Sequence, residues 1–139
     1  MSQCKSSLRT QVAIIGGGPS GLLLAQLLER AGIETIIIER RSRDYVLGRI
    51  RAGVLESGMV DMLRAADAGA RMDLEGIIHE GTYLATDNRG FRIDFKQHTG
   101  STVMIYGQTE LTHDLYQARD AMNGAILHEV DAVEINDTF

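Results

Sequence analysis

The chain is poor in cysteine, proline and tryptophan, with one, one and none among its 139 residues. A single cysteine, Cys4, cannot form an internal disulfide, which suits a reducing compartment, and we expect a cytoplasmic location. No apolar run approaches the roughly 18 residues needed to span a bilayer. Residues 1–10 lack the apolar segment of a signal peptide. We therefore expect no membrane partner.

Positive charge is also in the minority, because 19 acidic residues outnumber 14 basic ones and give a net charge of -5. A nucleic-acid binder needs surplus Lys and Arg to neutralise phosphates, so we expect no nucleic-acid partner. Five of the basic residues nevertheless fall between Arg40 and Arg51. The length fits one domain. We divide the chain into a polar leader, residues 1–9, and a domain, residues 10–139.

The first forty residues predict a β-α-β unit. Residues 12–15 and 35–38 are short β-branched runs typical of buried parallel strands. Between them, residues 22–31 have the composition of a packed helix, which Gly32 closes as a left-handed cap. Further on, the pattern predicts helices at 54–66 and 109–122, extended segments at 77–85, 91–95, 103–106 and 125–135, and a turn at 87–90 within a surface hairpin.

Residues 16–21, Gly-Gly-Gly-Pro-Ser-Gly, match the dinucleotide fingerprint G-x-G-x-x-G between a strand and a helix. Gly16 permits a tight turn, Gly18 lets the backbone approach a pyrophosphate, and Gly21 lets the helix pack closely on the sheet. Pro19 suits the first helical position. The helix N-terminus then offers N–H groups to phosphates.

Glu39 follows Gly21 by 18 residues and ends the second strand. Its carboxylate is placed to accept hydrogen bonds from the ribose hydroxyls of an adenosine and would repel a 2′-phosphate. The pattern therefore predicts an FAD or NAD site and leaves the choice between the two cofactors open.

Longer blocks resemble the flavin-dependent aromatic hydroxylases. The blocks are residues 44–56 (Asp-Tyr-Val-Leu-Gly-Arg-Ile-Arg-Ala-Gly-Val-Leu-Glu), 58–61, 78–81 and 106–110 (Tyr-Gly-Gln-Thr-Glu). The resemblance extends from Thr10 to the region of Ile135. It implies an α/β fold: a Rossmann-like FAD-binding domain with added helices and a β-hairpin, truncated at its C-terminus.

The resemblance implies roles for individual residues. It assigns FAD contacts, together with the fingerprint glycines, to Ser20, Glu39, Arg49, Ile50, Arg51, Ala52, Gly53, Val54 and Gln108. It assigns transient NADPH binding to Arg40, Tyr45, Arg49 and Arg51. His79 corresponds to the outer member of a proton relay to the phenol.

The reaction implied by the resemblance is hydroxylation of 4-hydroxybenzoate to 3,4-dihydroxybenzoate with NADPH and O2. None of the residues present corresponds to the family's substrate contacts. We therefore expect no activity for this chain alone. The resemblance further implies a small aromatic substrate and a homodimer for a longer protein.

Other hypotheses also fit the residues. An NAD(H)-dependent oxidoreductase would use the same fingerprint, and a non-catalytic nucleotide-binding module would bind without reacting. Arg-rich segments are often solvated or ion-paired surfaces, and an isolated histidine such as His79 is often structural. Glu110 and His113 form an E-x-x-H pattern, but a di-iron site needs a second such pair, so we expect no metal.

Overall fold

The computed structural model describes residues 7–136, so Cys4 and most of the leader lie outside the described residues. The strands in this range are β1 (Val12–Ile15), β2 (Thr35–Ile38), β3 (Val54–Glu56), β4 (Ile77–His79), β5 (Gly81–Thr86), β6 (Arg89–Asp94), β7 (Val103–Ile105) and β8 (Ala125–Leu127). The helices are α1 (Pro19–Arg30), α2 (Arg43–Leu47), α3 (Ser57–Ala65), α4 (Ala70–Glu75), α5 (Phe95–Thr99) and α6 (Gln108–Ala121).

A parallel sheet in the order β1-β2-β8 organises the cofactor-binding end of the fold. The central strand β2 buries Ile37 completely, and α1 covers the sheet with the buried side chains of Leu22 and Leu23. Gly32 follows α1 with a φ of 79°, the left-handed conformation expected of a helix-closing glycine. The predicted β-α-β unit is confirmed.

A second sheet is antiparallel, in the order β3-β7-β4. The helix predicted at 54–66 is wrong at its start. Residues 54–56 form strand β3 of this sheet, and the helix begins at Ser57. Pairing of Leu55 with Met104 explains the difference, because a strand partner distant in sequence outweighs helical spacing over so few residues.

Strands β5 and β6 form a separate two-stranded hairpin. Asp87 and Asn88 occupy its turn with φ angles of 44° and 61°, as a two-residue hairpin turn requires. Tyr83 and Phe91 on this hairpin are largely exposed. The prediction of a surface hairpin is therefore confirmed.

Arg119 of α6 is completely buried and ties the layers together. Its guanidinium donates to the carbonyl oxygens of Thr35 at 2.7 Å and Ala125 at 3.2 Å, and its Nη1 lies 3.0 Å from Glu29 of α1. A Cβ on Gly124 would overlap the same guanidinium, so the glycine after α6 makes room for Arg119. No local pattern around position 119 indicates that this arginine is buried.

Two short helices were not predicted, and one strand is shorter than expected. Helices α4 and α5 have six and five residues, too few to establish a helical period in sequence. The strand expected at 125–135 ends at Leu127, and residues 128–136 continue without regular structure. None of the helices within residues 7–136 is long and apolar enough to cross a bilayer.

Candidate functional site

A cleft of about 870 Å³ lies where the carboxyl ends of β1 and β2 meet the start of α1. In parallel sheets of this kind, ligands bind beyond the carboxyl ends of the strands. The predicted site residues that line it are Gly16, Gly18, Ser20, Glu39, Arg40, Tyr45, Arg49, Arg51, Ala52, Val54 and Gln108.

The three fingerprint glycines occupy different environments. Gly16 has a φ of 114°, which L side chains rarely adopt, and turns the chain out of β1. A Cβ on Gly21 would overlap the carbonyl oxygen of Gly16, so this glycine allows α1 to touch the strand end. A Cβ on Gly18 would meet no atom within 4 Å. The space above Gly18 is therefore open for a group to approach the backbone from the cleft.

The N-terminus of α1 is suited to binding an anion. Gly18 is its N-cap residue, Pro19 occupies the first turn, and no side chain accepts a hydrogen bond at this cap. The first turn also carries no acidic residue. The N–H groups and the positive end of the helix dipole are thus left available to phosphate oxygens, which fits a dinucleotide pyrophosphate.

Glu39 connects the fingerprint turn to the Arg-rich segment. Its Oε2 accepts a hydrogen bond from the Gly17 N–H at 2.7 Å, and its Oε1 accepts one from the Arg41 N–H at 2.8 Å. A carboxylate has about four acceptor positions, so it retains capacity for ribose hydroxyls after these two bonds. The acid is therefore held in a fixed orientation at the cleft wall.

Four arginines line the cleft: Arg40, Arg41, Arg49 and Arg51. Within residues 7–136 none of them forms an ion pair with a carboxylate, although arginines elsewhere in the same range do. The Arg41 guanidinium lies 5.1 Å from the centre of the Tyr45 ring, within cation–π range. The ion-paired surface considered above thus does not describe this cluster, whose charges remain available to an anionic ligand.

The two sequence blocks at 44–56 and 106–110 meet beside the cleft. The Tyr106 N–H donates to the Gly53 carbonyl oxygen at 2.8 Å. A Cβ on Gly53 would overlap the backbone of Tyr106 and Gly107, so this contact requires glycine. Ala52, Val54 and Gln108, which lie next to this contact in the sequence, all line the cleft.

Some predicted site residues lie elsewhere. Gly21 and Gly53 support the cleft through backbone packing and do not line it. Ile50 is 89% exposed and also lies outside the lining. His79, on β4, borders a separate shallow depression with Glu80 and Tyr83. Roles for Ile50 and His79 in binding or catalysis stay predictions.

The fold adds lining residues that the sequence did not single out. Val130, Asp131 and Val133 follow β8 and form part of the cleft wall. The Val130 N–H donates to the Glu39 carbonyl oxygen at 3.1 Å, which brings this segment to the end of β2. Because that contact joins residues 91 positions apart, no local pattern could have indicated it.

A metal site has no support in the part of the chain described. No group of three or more potential ligands (His, Cys, Asp or Glu) comes together there. Glu110, half of the E-x-x-H pattern, instead forms an ion pair with Arg71.

Comparison with protein families matches residues 9–138 to a family described as the FAD binding domain. Among curated proteins, p-hydroxybenzoate hydroxylase of Acinetobacter baylyi is 46% identical over 134 residues, or 96% of this chain and 33% of that protein. The 6-methylpretetramide 4-monooxygenase of Streptomyces rimosus is 34% identical over 91 residues, or 65% of this chain and 19% of that protein. This chain thus spans about a third or less of the length of these two relatives.

Solved structures show the same fold at low sequence identity. PqsL of Pseudomonas aeruginosa, in complex with 2-aminobenzoylacetate, aligns with a TM-score of 0.78 and 19% identity, covering 92% of this chain and 36% of that one. A structure of 2-methyl-3-hydroxypyridine-5-carboxylic acid oxygenase aligns with a TM-score of 0.76 and 21% identity, covering 89% and 32%.

Proposed function

Since the chain belongs to the FAD binding domain family, we propose that it supplies the FAD site of an NADPH-dependent aromatic hydroxylase. The observation that carries the proposal is the combination of an open Gly18 backbone with four arginines that lack carboxylate partners within residues 7–136. A dinucleotide pyrophosphate carries the negative charge that this arrangement would neutralise.

Each part of the cleft has a task in this proposal. Glu39 would accept hydrogen bonds from the adenosine ribose, while the start of α1 and Arg51 would bind the pyrophosphate. Ala52, Val54 and Gln108 would line the flavin half. When bound, FAD supplies the redox chemistry between a reduced nicotinamide, oxygen and the aromatic ring. The protein contributes orientation of the cofactor and neutralisation of its charge.

The proposal that NADPH is used rests on the exposure to solvent of arginines that line the cleft. Arg40, Tyr45 and Arg49 lie at the cleft and are all largely exposed, so a second nucleotide can reach them from solvent. Glu39 faces the Gly17 turn on the inner side. This division would let the acid bind the FAD ribose while an adjacent arginine binds the 2′-phosphate of NADPH.

For the substrate we propose 4-hydroxybenzoate, converted to 3,4-dihydroxybenzoate. Support comes from the 46% identity to a protein named p-hydroxybenzoate hydroxylase. Because this chain covers 33% of that relative, we further propose that it is inactive alone and that a longer, homodimeric protein carries the activity. His79 would act in proton transfer in that longer protein.

A chimera tests the proposal. The remaining two-thirds of the Acinetobacter relative would be joined after residue 136, and NADPH oxidation and phenol products would be measured with FAD present. We expect 3,4-dihydroxybenzoate from the chimera and none from the 139-residue chain. Because the relative supplies the substrate contacts in this chimera, the experiment tests the cofactor part of the proposal. A chimera that binds FAD but does not oxidise NADPH in the presence of 4-hydroxybenzoate would contradict the proposal that this chain supplies the FAD site of an NADPH-dependent hydroxylase.

A further inference from the structure

Beside the cleft, two backbone segments are in direct contact without intervening side chains. The Tyr106 N–H donates a hydrogen bond to the Gly53 carbonyl oxygen. The backbones of Gly53 and Tyr106-Gly107 approach so closely that a Cβ on Gly53 would not fit. The residues next to this contact, Ala52, Val54 and Gln108, line the cleft. Any displacement of Tyr106 would therefore be transmitted to residues that line the cleft.

The Tyr106 side chain is anchored in the interior. The ring is 5% exposed, and its hydroxyl donates to Asp114 Oδ2 at 2.6 Å. The other oxygen of Asp114 accepts from Arg71 Nε at 2.9 Å. Arg71 also donates to the Glu110 carbonyl oxygen and lies 5.8 Å from the centre of the Tyr106 ring. These bonds join α4, the residue that follows β7, and α6.

The network is costly to break because its acid is buried. The Asp114 side chain is 8% exposed, and a buried carboxylate is tolerated only when it is paired and hydrogen-bonded. The pKa of Tyr106 is raised well above its ordinary value, mainly by burial and secondly by the hydrogen bond to the Asp114 carboxylate. The hydroxyl therefore remains a proton donor to Asp114 throughout the neutral range.

We propose that Tyr106, Asp114 and Arg71 form a positioning network that holds the Gly53 and Gly107-Gln108 backbones at the separation needed for the flavin half of FAD. The adenosine half, at Glu39 and the start of α1, does not depend on it. This inference rests on the proposed FAD site and adds residues that do not themselves touch the cofactor.

The first test compares FAD with ADP, which occupies the adenosine and phosphate part of the site alone. In the 139-residue chain, Tyr106→Phe keeps the ring and removes the hydroxyl. We expect its dissociation constant for FAD to rise about tenfold, as for loss of a hydrogen bond to a charged group, with ADP binding unchanged. Equal weakening of both ligands, or no change in either, would overturn the proposal.

Three further variants provide a rescue comparison and a control. Asp114→Asn retains an acceptor for the hydroxyl, so it should recover part of the FAD affinity that Asp114→Ala loses; no difference between the two would count against positioning. Asp73→Asn removes an ion pair of α4 with Arg64, away from the cleft, and should leave the FAD-to-ADP ratio unchanged.

Hydrogen exchange separates this inference from the proposed function, because it needs no ligand. In Tyr106→Phe, exchange of the Tyr106 amide should increase about tenfold, while α1 amides remain as in the parent chain. If the parent chain does not bind FAD, the proposed function fails, and exchange still decides whether the hydroxyl holds Gly53. Unchanged exchange at Tyr106 would overturn the positioning role directly.

Discussion

The carboxylate of Glu39 is hydrogen-bonded to the Gly17 N–H at 2.7 Å, which ties the end of the second strand to the glycine turn after the first. A Cβ on Gly17 would press against the Glu39 side chain, so the position of Glu39 requires glycine at position 17. The acid that is expected to bind ribose is therefore also part of the turn that is expected to bind pyrophosphate.

Replacing Glu39 with alanine should weaken FAD binding by about 1–3 kcal/mol, because the ribose hydroxyls and the Gly17 and Arg41 amides lose their acceptor. The measurement is titration of flavin fluorescence with parent and variant chains. Equal FAD affinity in the two chains would contradict the assignment of Glu39 to the ribose.

Two glycines in the first turns of helices should respond oppositely to alanine. Gly21→Ala should lower the free energy of unfolding by about 2–3 kcal/mol, since its methyl group would overlap the Gly16 carbonyl oxygen. Gly58→Ala, where a Cβ meets nothing within 4 Å, should raise it by about 0.5–1 kcal/mol. Denaturant unfolding compares them; similar effects of both variants would refute the close contact between α1 and β1.

Arg51→Gln should weaken FAD binding by about 1.5–3 kcal/mol and reduce its salt dependence, because one charge-assisted bond to phosphate is lost. Arg30→Gln is the matched control, since Arg30 lies at the end of α1 with an exposed partner, Asp67. FAD titrations at low and high salt provide the measurement. A loss of equal size in the control would show that only overall charge matters.

Acid should weaken the link between Glu29 and Arg119. Partial burial raises the pKa of Glu29, but hydrogen bonds from Thr35 and the positive charge of Arg119, 3.0 Å away, outweigh it and leave the pKa below its ordinary value. The unfolded chain therefore binds this proton more readily, and the stabilisation present at neutral pH is lost as pH falls through the lowered pKa. Urea unfolding from pH 7 to 3 should show a smaller decline for Glu29→Gln; an identical decline would contradict the link.

The local features of the fold could be predicted from sequence, and its long-range features could not. Apolar runs separated by glycines indicate the β-α-β unit within the first forty residues, and its strands have the predicted bounds. The helical spacing at 54–56 is misleading because the partner of β3, β7, lies some fifty residues away. The burial of Arg119 is likewise set by Thr35, Glu29 and Gly124, which no sequence pattern connects.

In the candidate site, too, local features could be predicted from sequence and long-range contacts could not. The fingerprint and Glu39 could be located from spacing, and the Arg-rich block from resemblance, and the fold brings them to one cleft. The contribution of Val130 and Asp131 depends on the chain passing the end of β2, which sequence did not indicate. The position of Ile50 outside the cleft also depends on tertiary structure, because its neighbours Arg49 and Arg51 both line the cleft. His79 lies with the whole of the 78–81 block at the separate depression, which the resemblance did not indicate.

The most direct measurement is titration of the purified 139-residue chain with FAD and, in parallel, with NAD, following flavin fluorescence and the melting temperature. Our account predicts saturable FAD binding that changes the fluorescence and raises Tm, with stabilisation of about 2.7 kcal/mol at a hundredfold excess over the dissociation constant, and no comparable effect of NAD. Binding of NAD without FAD would identify a dehydrogenase-type site instead. Binding of neither would contradict the claim that these residues form a working FAD site.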